Sequence, residues 1–97
     1  MELKIKAIHF DINERLNAFI EKKAVRLEKK VDRATQLEVT LKVVKPETAM
    51  NKETRLHLSV PGGELHAERV CDTFEEGILE CIEALLKQVE RYKEKNK

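Results

Sequence analysis

Two periodicities divide the chain. Residues 2–8 alternate, with Leu3, Ile5 and Ala7 on one side and Lys4 and Lys6 on the other, which predicts a half-buried strand. The period then lengthens. Leu16, Phe19, Ile20, Ala24, Leu27 and Val31 fall on one stripe at about 100° per residue, predicting a helix that runs to about Arg33. Asp11 or Asn13 supplies its cap, and Glu14 stands three residues after Asp11 in capping-box spacing. Alternation returns at 36–44, with Leu37, Val39, Leu41 and Val43 set against Glu38, Thr40 and Lys42. It returns again at 54–60, with Leu56, Leu58 and Val60 set against Arg55, His57 and Ser59. A loop around Pro46 is expected between them, over 45–52. Pro61-Gly62-Gly63 predicts a tight turn and 64–70 a fourth strand. A second helix opens at Asp72, with Glu75 three residues on, and extends to about Lys95; Phe74, Ile78, Cys81, Ile82, Leu85, Val89 and Tyr92 form its apolar face.

The order β-α-β-β-β-α defines the predicted fold. It is an α/β (α+β) two-layer sandwich, a four-stranded mixed sheet with both helices on one face and water on the other. The first β-α-β crossover implies a parallel pair and the later strands follow as hairpins. At 97 residues there is room for one core, so 1–97 is expected to be one domain with a frayed end at 95–97.

Composition narrows the function. Hydrophobic residues are 41% and charged residues 38%, with 19 Lys and Arg against 18 Asp and Glu, which excludes both a disordered tail and a strongly basic domain. No apolar run approaches the ~18 residues of a membrane span, and the opening MELKIKAIHF has no signal-peptide core, so a cytoplasmic protein with no membrane partner is expected. Cys71 and Cys81 lie outside any CxxC and read as free thiols. Three Phe, one Tyr and no Trp argue against binding RNA by base stacking.

The near-neutral sum hides segregation. Residues 12–33 carry seven bases against four acids, 72–83 carry five acids and no base, and 84–97 carry five bases against two acids. On the first helix Arg15, Lys22, Arg26, Lys29 and Arg33 share a sector about 60° wide, while Glu14, Glu21, Glu28 and Asp32 share another. On the second, Lys87, Arg91 and Lys95 repeat at i, i+4 and i+8. Such faces are ordinarily solvated, and cations near a helix C-terminus complement its dipole. Separating the signs forgoes i, i+4 pairing and builds a field, which is the property of a polyanion-binding surface.

Nothing in the sequence looks catalytic. His57 and His66 flank the glycine turn, but zinc needs three or four ligands, and Glu64 and Glu68 are the nearby carboxylates; these read as surface residues. No His–Cys spacing suggests a dyad, and Gly62-Gly63 is not followed by a helix as a phosphate loop requires. No enzyme activity, metal, cofactor or small-molecule substrate is expected.

Several stretches carry a likeness to known proteins: Met1-Glu2-Leu3-Lys4-Ile5; Arg26-Leu27-Glu28-Lys29; Leu41-Lys42-Val43; Leu58-Ser59-Val60-Pro61-Gly62-Gly63-Glu64-Leu65-His66-Ala67; and Asp72-Thr73-Phe74. In this order, almost without gaps, the chain resembles the ribosome hibernation promoting factor family, also called ribosome-associated inhibitors or sigma-54 modulation proteins. The resemblance implies a fold like that of double-stranded-RNA-binding domains. It also implies binding to the small ribosomal subunit near the decoding centre, where mRNA and tRNAs sit, and inhibition of translation in stasis or stress. The partners would be ribosomal RNA and neighbouring ribosomal proteins. By the resemblance Lys23, Arg26, Lys29, Lys30, Lys87, Arg91 and Lys95 would meet ribosomal RNA, and the charge stripe adds Lys22 and Arg33 to that set. Where the family commonly has Asp-Lys-Leu-x-Arg-Gln-Leu, this chain has Glu83-Ala84-Leu85-Leu86-Lys87-Gln88-Val89, so one cation has become Ala84. By the same resemblance the chain looks like the short form, whose members take part in ribosome pairing. The competing reading is a small protein-interaction module that docks a partner through the acids Asp72, Glu75, Glu76, Glu80 and Glu83 or through an open sheet edge.

Overall fold

The computed structural model describes residues 1–44 and 49–95, and of Lys95 the backbone alone. The elements are β1 (Glu2–Ile8), α1 (Glu14–Lys30), β2 (Gln36–Val43), β3 (Lys52–Val60), β4 (Gly63–Cys71) and α2 (Phe74–Lys95), the predicted order. The strands form one sheet in the order β1-β2-β3-β4, with β1 parallel to β2 and the remaining pairs antiparallel. Residues 45–48 of the expected loop, Pro46 among them, and residues 96–97 lie outside the described residues.

Alternation decides which sheet face is buried. Leu37, Val39, Leu41, Leu56 and Leu58 are at most 1% exposed and pack against Ile20, Leu27, Ile78, Ile82 and Leu85 in one core. The opposite face is polar: register aligns Lys4, Glu38, His57 and His66 in a single row across all four strands. Gly62, at φ 84, makes the β3–β4 turn where a side chain would be strained.

One boundary that the periodic reading left open is settled and three others move. The cap of α1 is Asn13, whose Oδ1 accepts from the Leu16 N–H at 2.8 Å. The helix closes at Lys30, because Val31 turns extended while its N–H still bonds Leu27 O. Val31 and Ala34 are both buried and draw the chain toward β2, so Asp32 and Arg33 form the turn between them and Arg33 is not on the helix. At α2 the cap is Thr73, whose hydroxyl accepts from the Glu76 N–H at 3.1 Å; Asp72 instead accepts from the Met50 N–H at 2.8 Å. β3 begins at Lys52, two residues earlier than the alternation suggested. Among the described residues no helix is long and apolar enough to cross a membrane.

Candidate nucleic-acid interface

The helices lie side by side and parallel. Phe10, ahead of α1, stacks on Phe74 at the start of α2, with ring centroids 5.1 Å apart. Midway, Arg26 of α1 pairs with Glu83 of α2 at 2.7 Å. At the far end Lys30 and Val31 share a shallow depression with Tyr92 and Lys93. Tyr92 donates its hydroxyl to Pro61 O at 2.7 Å, which ties the end of α2 to the β3–β4 turn.

This packing places each predicted cation. Lys22, Lys29 and Lys30 are exposed on α1, and Arg33 is exposed in the turn that follows. Lys23 is half-buried, with its ammonium 5.5 Å from the Phe19 ring centroid, a cation–π contact that leaves the head beside an apolar surface. Lys87 and Arg91 are exposed on α2. The side chain of Lys95 lies outside the described residues. Within the set of nine, and among the described residues, Arg26 is the member held in an ion pair. The basic sector of α1 is thus a free surface with one internal tether.

The two basic rows do not merge into one. From the α1 row, Arg26 reaches across to α2, where it meets Glu83. The α2 row, Lys87 and Arg91, borders a groove that it shares with Arg69 of β4. Two further cations complete the surface. Lys93 stands with Lys30 and Arg33 at the far end of the helices, and Arg69 of β4 stands with Lys87 and Arg91. By sequence Lys93 belongs to the basic segment 84–97 and complements the helix dipole, while Arg69 goes unmarked. Helix periodicity signals a row, but it does not say which strand residue comes to stand beside it.

The remaining chemical candidates resolve locally. His57 and His66 are register partners on the open face, with ring centroids 6.3 Å apart, and His57 Nε2 lies 2.7 Å from Glu64 Oε2. Cys71 and Cys81 are both buried free thiols. Burial pushes the Cys71 thiol up to about 11, aided by its hydrogen bond to Glu80 Oε2 at 3.2 Å, and burial pushes Cys81 up to about 12. A thiol held protonated is a weak nucleophile and a poor metal ligand.

The acids behind the competing reading are largely engaged. Glu83 holds Arg26, Glu80 accepts from Cys71, and Asp72 accepts from Met50. The β4 edge is covered in part as well. His66 O accepts from Gln88 Nε2 at 2.8 Å, and Glu68 O accepts from Arg69 Nη1 at 2.7 Å, so two alternate edge carbonyls already have donors.

Comparison with known proteins agrees with this architecture. Residues 3–97 match the sequence profile described as Sigma 54 modulation protein / S30EA ribosomal protein. The chain is 33% identical over 97 residues to the ribosome hibernation promoting factor of Escherichia coli strain K12, covering 100% of this chain and 98% of the relative. It is 35% identical to the factor of the same name from Salmonella typhimurium, with the same coverage. The solved structure of a ribosomal subunit interface protein from Coxiella burnetii superposes with a TM-score of 0.83 at 20% identity, over 96% of this chain and 98% of that one; this likeness is one of fold. With a profile match over nearly its whole length and relatives above 30% identity end to end, the chain belongs to the Sigma 54 modulation protein / S30EA ribosomal protein family.

Proposed function

We propose that this protein is a ribosome hibernation factor, a single ribosome-binding domain over 1–97. It docks on the small subunit near the decoding centre through the basic faces of its two helices, excludes mRNA and tRNA from their channel, and so stops translation in the cytoplasm during stasis. The observation that carries this reading is the pair of parallel helices on one side of the sheet. They expose Lys22, Lys29, Lys30, Lys87 and Arg91, none of them in an ion pair among the described residues. Cations without internal partners are free to displace counterions from RNA phosphates, a gain that needs no aromatic platform. The names of the curated relatives support the ribosome as the target. Two cation rows held on rigid helices suit folded ribosomal RNA, which is recognised by shape and backbone. The proposed mechanism is steric: the protein acts by occupying the channel and carries out no covalent step.

The test is a double charge reversal, Lys29→Glu with Lys87→Glu, measured by sedimentation with purified small subunits over a range of salt. Arg26 is the poorer probe, because Arg26→Glu would set a second carboxylate against Glu83. Each lost phosphate contact lowers the slope of log affinity against log salt by roughly 0.7–0.9, so the double variant should bind far more weakly and with a flatter salt dependence. A variant that stays folded and binds with unchanged affinity and slope would reject this surface. Binding by the parent protein to an isolated protein partner, with none to small subunits, would return the protein-interaction reading.

A further inference from the structure

Arg69 occupies a position that strand alternation assigns to the helix side of the sheet. Its neighbours in that alternation, Leu65, Ala67 and Cys71, all pack inward, and Ala67 and Cys71 are buried. The side chain of Arg69 is nonetheless 45% exposed. It emerges into a groove of about 440 Å³ between β4 and α2. Lys87 and Arg91, one helical turn apart, line the same groove, and the small side chain of Ala84 leaves it open between them and Arg69.

Two acids, Glu80 and Glu83, also line this groove. Glu83 is held by Arg26 at 2.7 Å, on the α1 side. Glu80 takes the Cys71 thiol on Oε2 and stands 3.9 Å from Arg69 Nε on Oε1, at the outer limit of an ion pair. The Arg69 guanidinium keeps a closer contact, from Nη1 to Glu68 O at 2.7 Å. Gln88, also at the groove, spends its amide on His66 O and fixes the distance between helix and strand. Three cations from two elements therefore face a cleft with two carboxylates, Glu83 paired with Arg26 and Glu80 shared between the Cys71 thiol and Arg69.

From this arrangement we infer that the groove is a phosphodiester-binding site for a strand of ribosomal RNA, with Arg69 as its third cation beside Lys87 and Arg91. The inference rests on the RNA-binding reading above and extends it from the helices to the sheet edge. An arginine fits the role because its planar fork donates two parallel hydrogen bonds to a phosphate. The exposed, stretched contact to Glu80 is easily exchanged for one to a phosphate. The aliphatic floor at Ala84 accepts the sugar between two phosphates without burying an unpaired polar group.

An inward-pointing charge on an edge strand has another use, keeping further copies from pairing with that edge. The two roles separate experimentally. Small-subunit binding is measured over a range of salt for the parent, Arg69→Ala, Arg69→Lys, and Arg69→Ala with Ala84→Lys; circular dichroism confirms folding and sedimentation equilibrium reports self-association. Arg69→Ala should weaken binding about tenfold, the loss of one charge-assisted contact, and lower the salt slope by roughly 0.7–0.9. Arg69→Lys should keep the slope, and Ala84→Lys should restore it in the Arg69→Ala background by returning a cation to the groove. Unchanged affinity and slope in Arg69→Ala, with or without self-association, would overturn the groove as an RNA site, while weakening by Lys29→Glu with Lys87→Glu would leave the broader reading standing. A parent protein with no affinity for small subunits would overturn both.

Discussion

Gly77 tests how closely α2 is seated on the sheet. It is buried in the first turn of the helix, and a Cβ built there would stand 2.6 Å from Thr54 Oγ1 and 3.1 Å from Thr54 Cβ. Thr54 cannot easily withdraw: it is 0% exposed on β3, and its carbonyl faces the Cys81 thiol at 3.5 Å. Among the described residues its hydroxyl has no hydrogen-bond partner. Two effects of Gly77→Ala oppose each other. Alanine should stabilise the helix by at most about 1 kcal/mol relative to glycine, the figure for a helix interior. Overpacking a closed site typically costs about 1–3 kcal/mol, and a 2.6 Å contact against a fully buried side chain belongs in the upper part of that range. The expected net change is a destabilisation of about 1–2 kcal/mol, a fall in Tm of roughly 4–8 °C per kcal/mol for a domain of this size. In a Thr54→Ala background the shorter contact disappears and the same substitution should become nearly neutral. A coupling energy of about 1–2 kcal/mol should then emerge from a double-mutant cycle by urea denaturation. If Gly77→Ala stabilises the parent, or costs the same in both backgrounds, α2 does not approach β3 as described. The groove that depends on this seating, with Gln88 reaching His66 O, would be in question too.

Two further outcomes follow from particular contacts. Glu83→Gln should release Arg26 and steepen the salt dependence of small-subunit binding by roughly 0.7–0.9, whereas Glu21→Gln on the other side of α1 should leave it nearly unchanged; equal effects would mean that Arg26 is not tethered. Burial holds the Cys71 and Cys81 thiols protonated to about 11 and about 12, against an ordinary 9.0, so the folded state keeps protons that the unfolded state has lost. The stability contributed by these thiols is therefore full below about pH 9 and lost as pH rises from there through 11–12. The urea midpoint should fall more steeply between about pH 8 and about pH 10.5 in the parent than in a Cys71→Ala, Cys81→Ala variant, and parallel declines would refute the assignment.

Much of the fold was legible because it is written in short-range periods. Leu37, Val39 and Leu41, and again Leu56, Leu58 and Val60, alternate because a strand turns every second side chain to the same face, and all six are buried. The stripe Leu16, Ile20, Ala24, Leu27 marks α1 for the corresponding helical reason, and the four are buried. Periodicity failed where it was carried past its element. Arg33 continues the angular sector of Lys22 and Lys29 on paper, yet the burial of Val31 and Ala34 bends the chain first. Caps were placed within two residues of their positions, because Asp11 and Asn13, and likewise Asp72 and Thr73, are all competent acceptors and the choice rests on backbone geometry.

The same division holds for the site. That α1 and α2 each carry a one-sided row of cations is a property of sequence spacing alone. Which cations are free is not. Arg26 and Glu83 are 57 positions apart, and only the parallel packing of the helices brings them within 2.7 Å. Lys93 joins Lys30 and Arg33, and Arg69 joins Lys87 and Arg91, through the same long-range geometry. Local pattern determines the backbone path of a segment and the face each side chain takes. The partners that face meets depend on where every other segment comes to lie, and that is decided by burying one shared core.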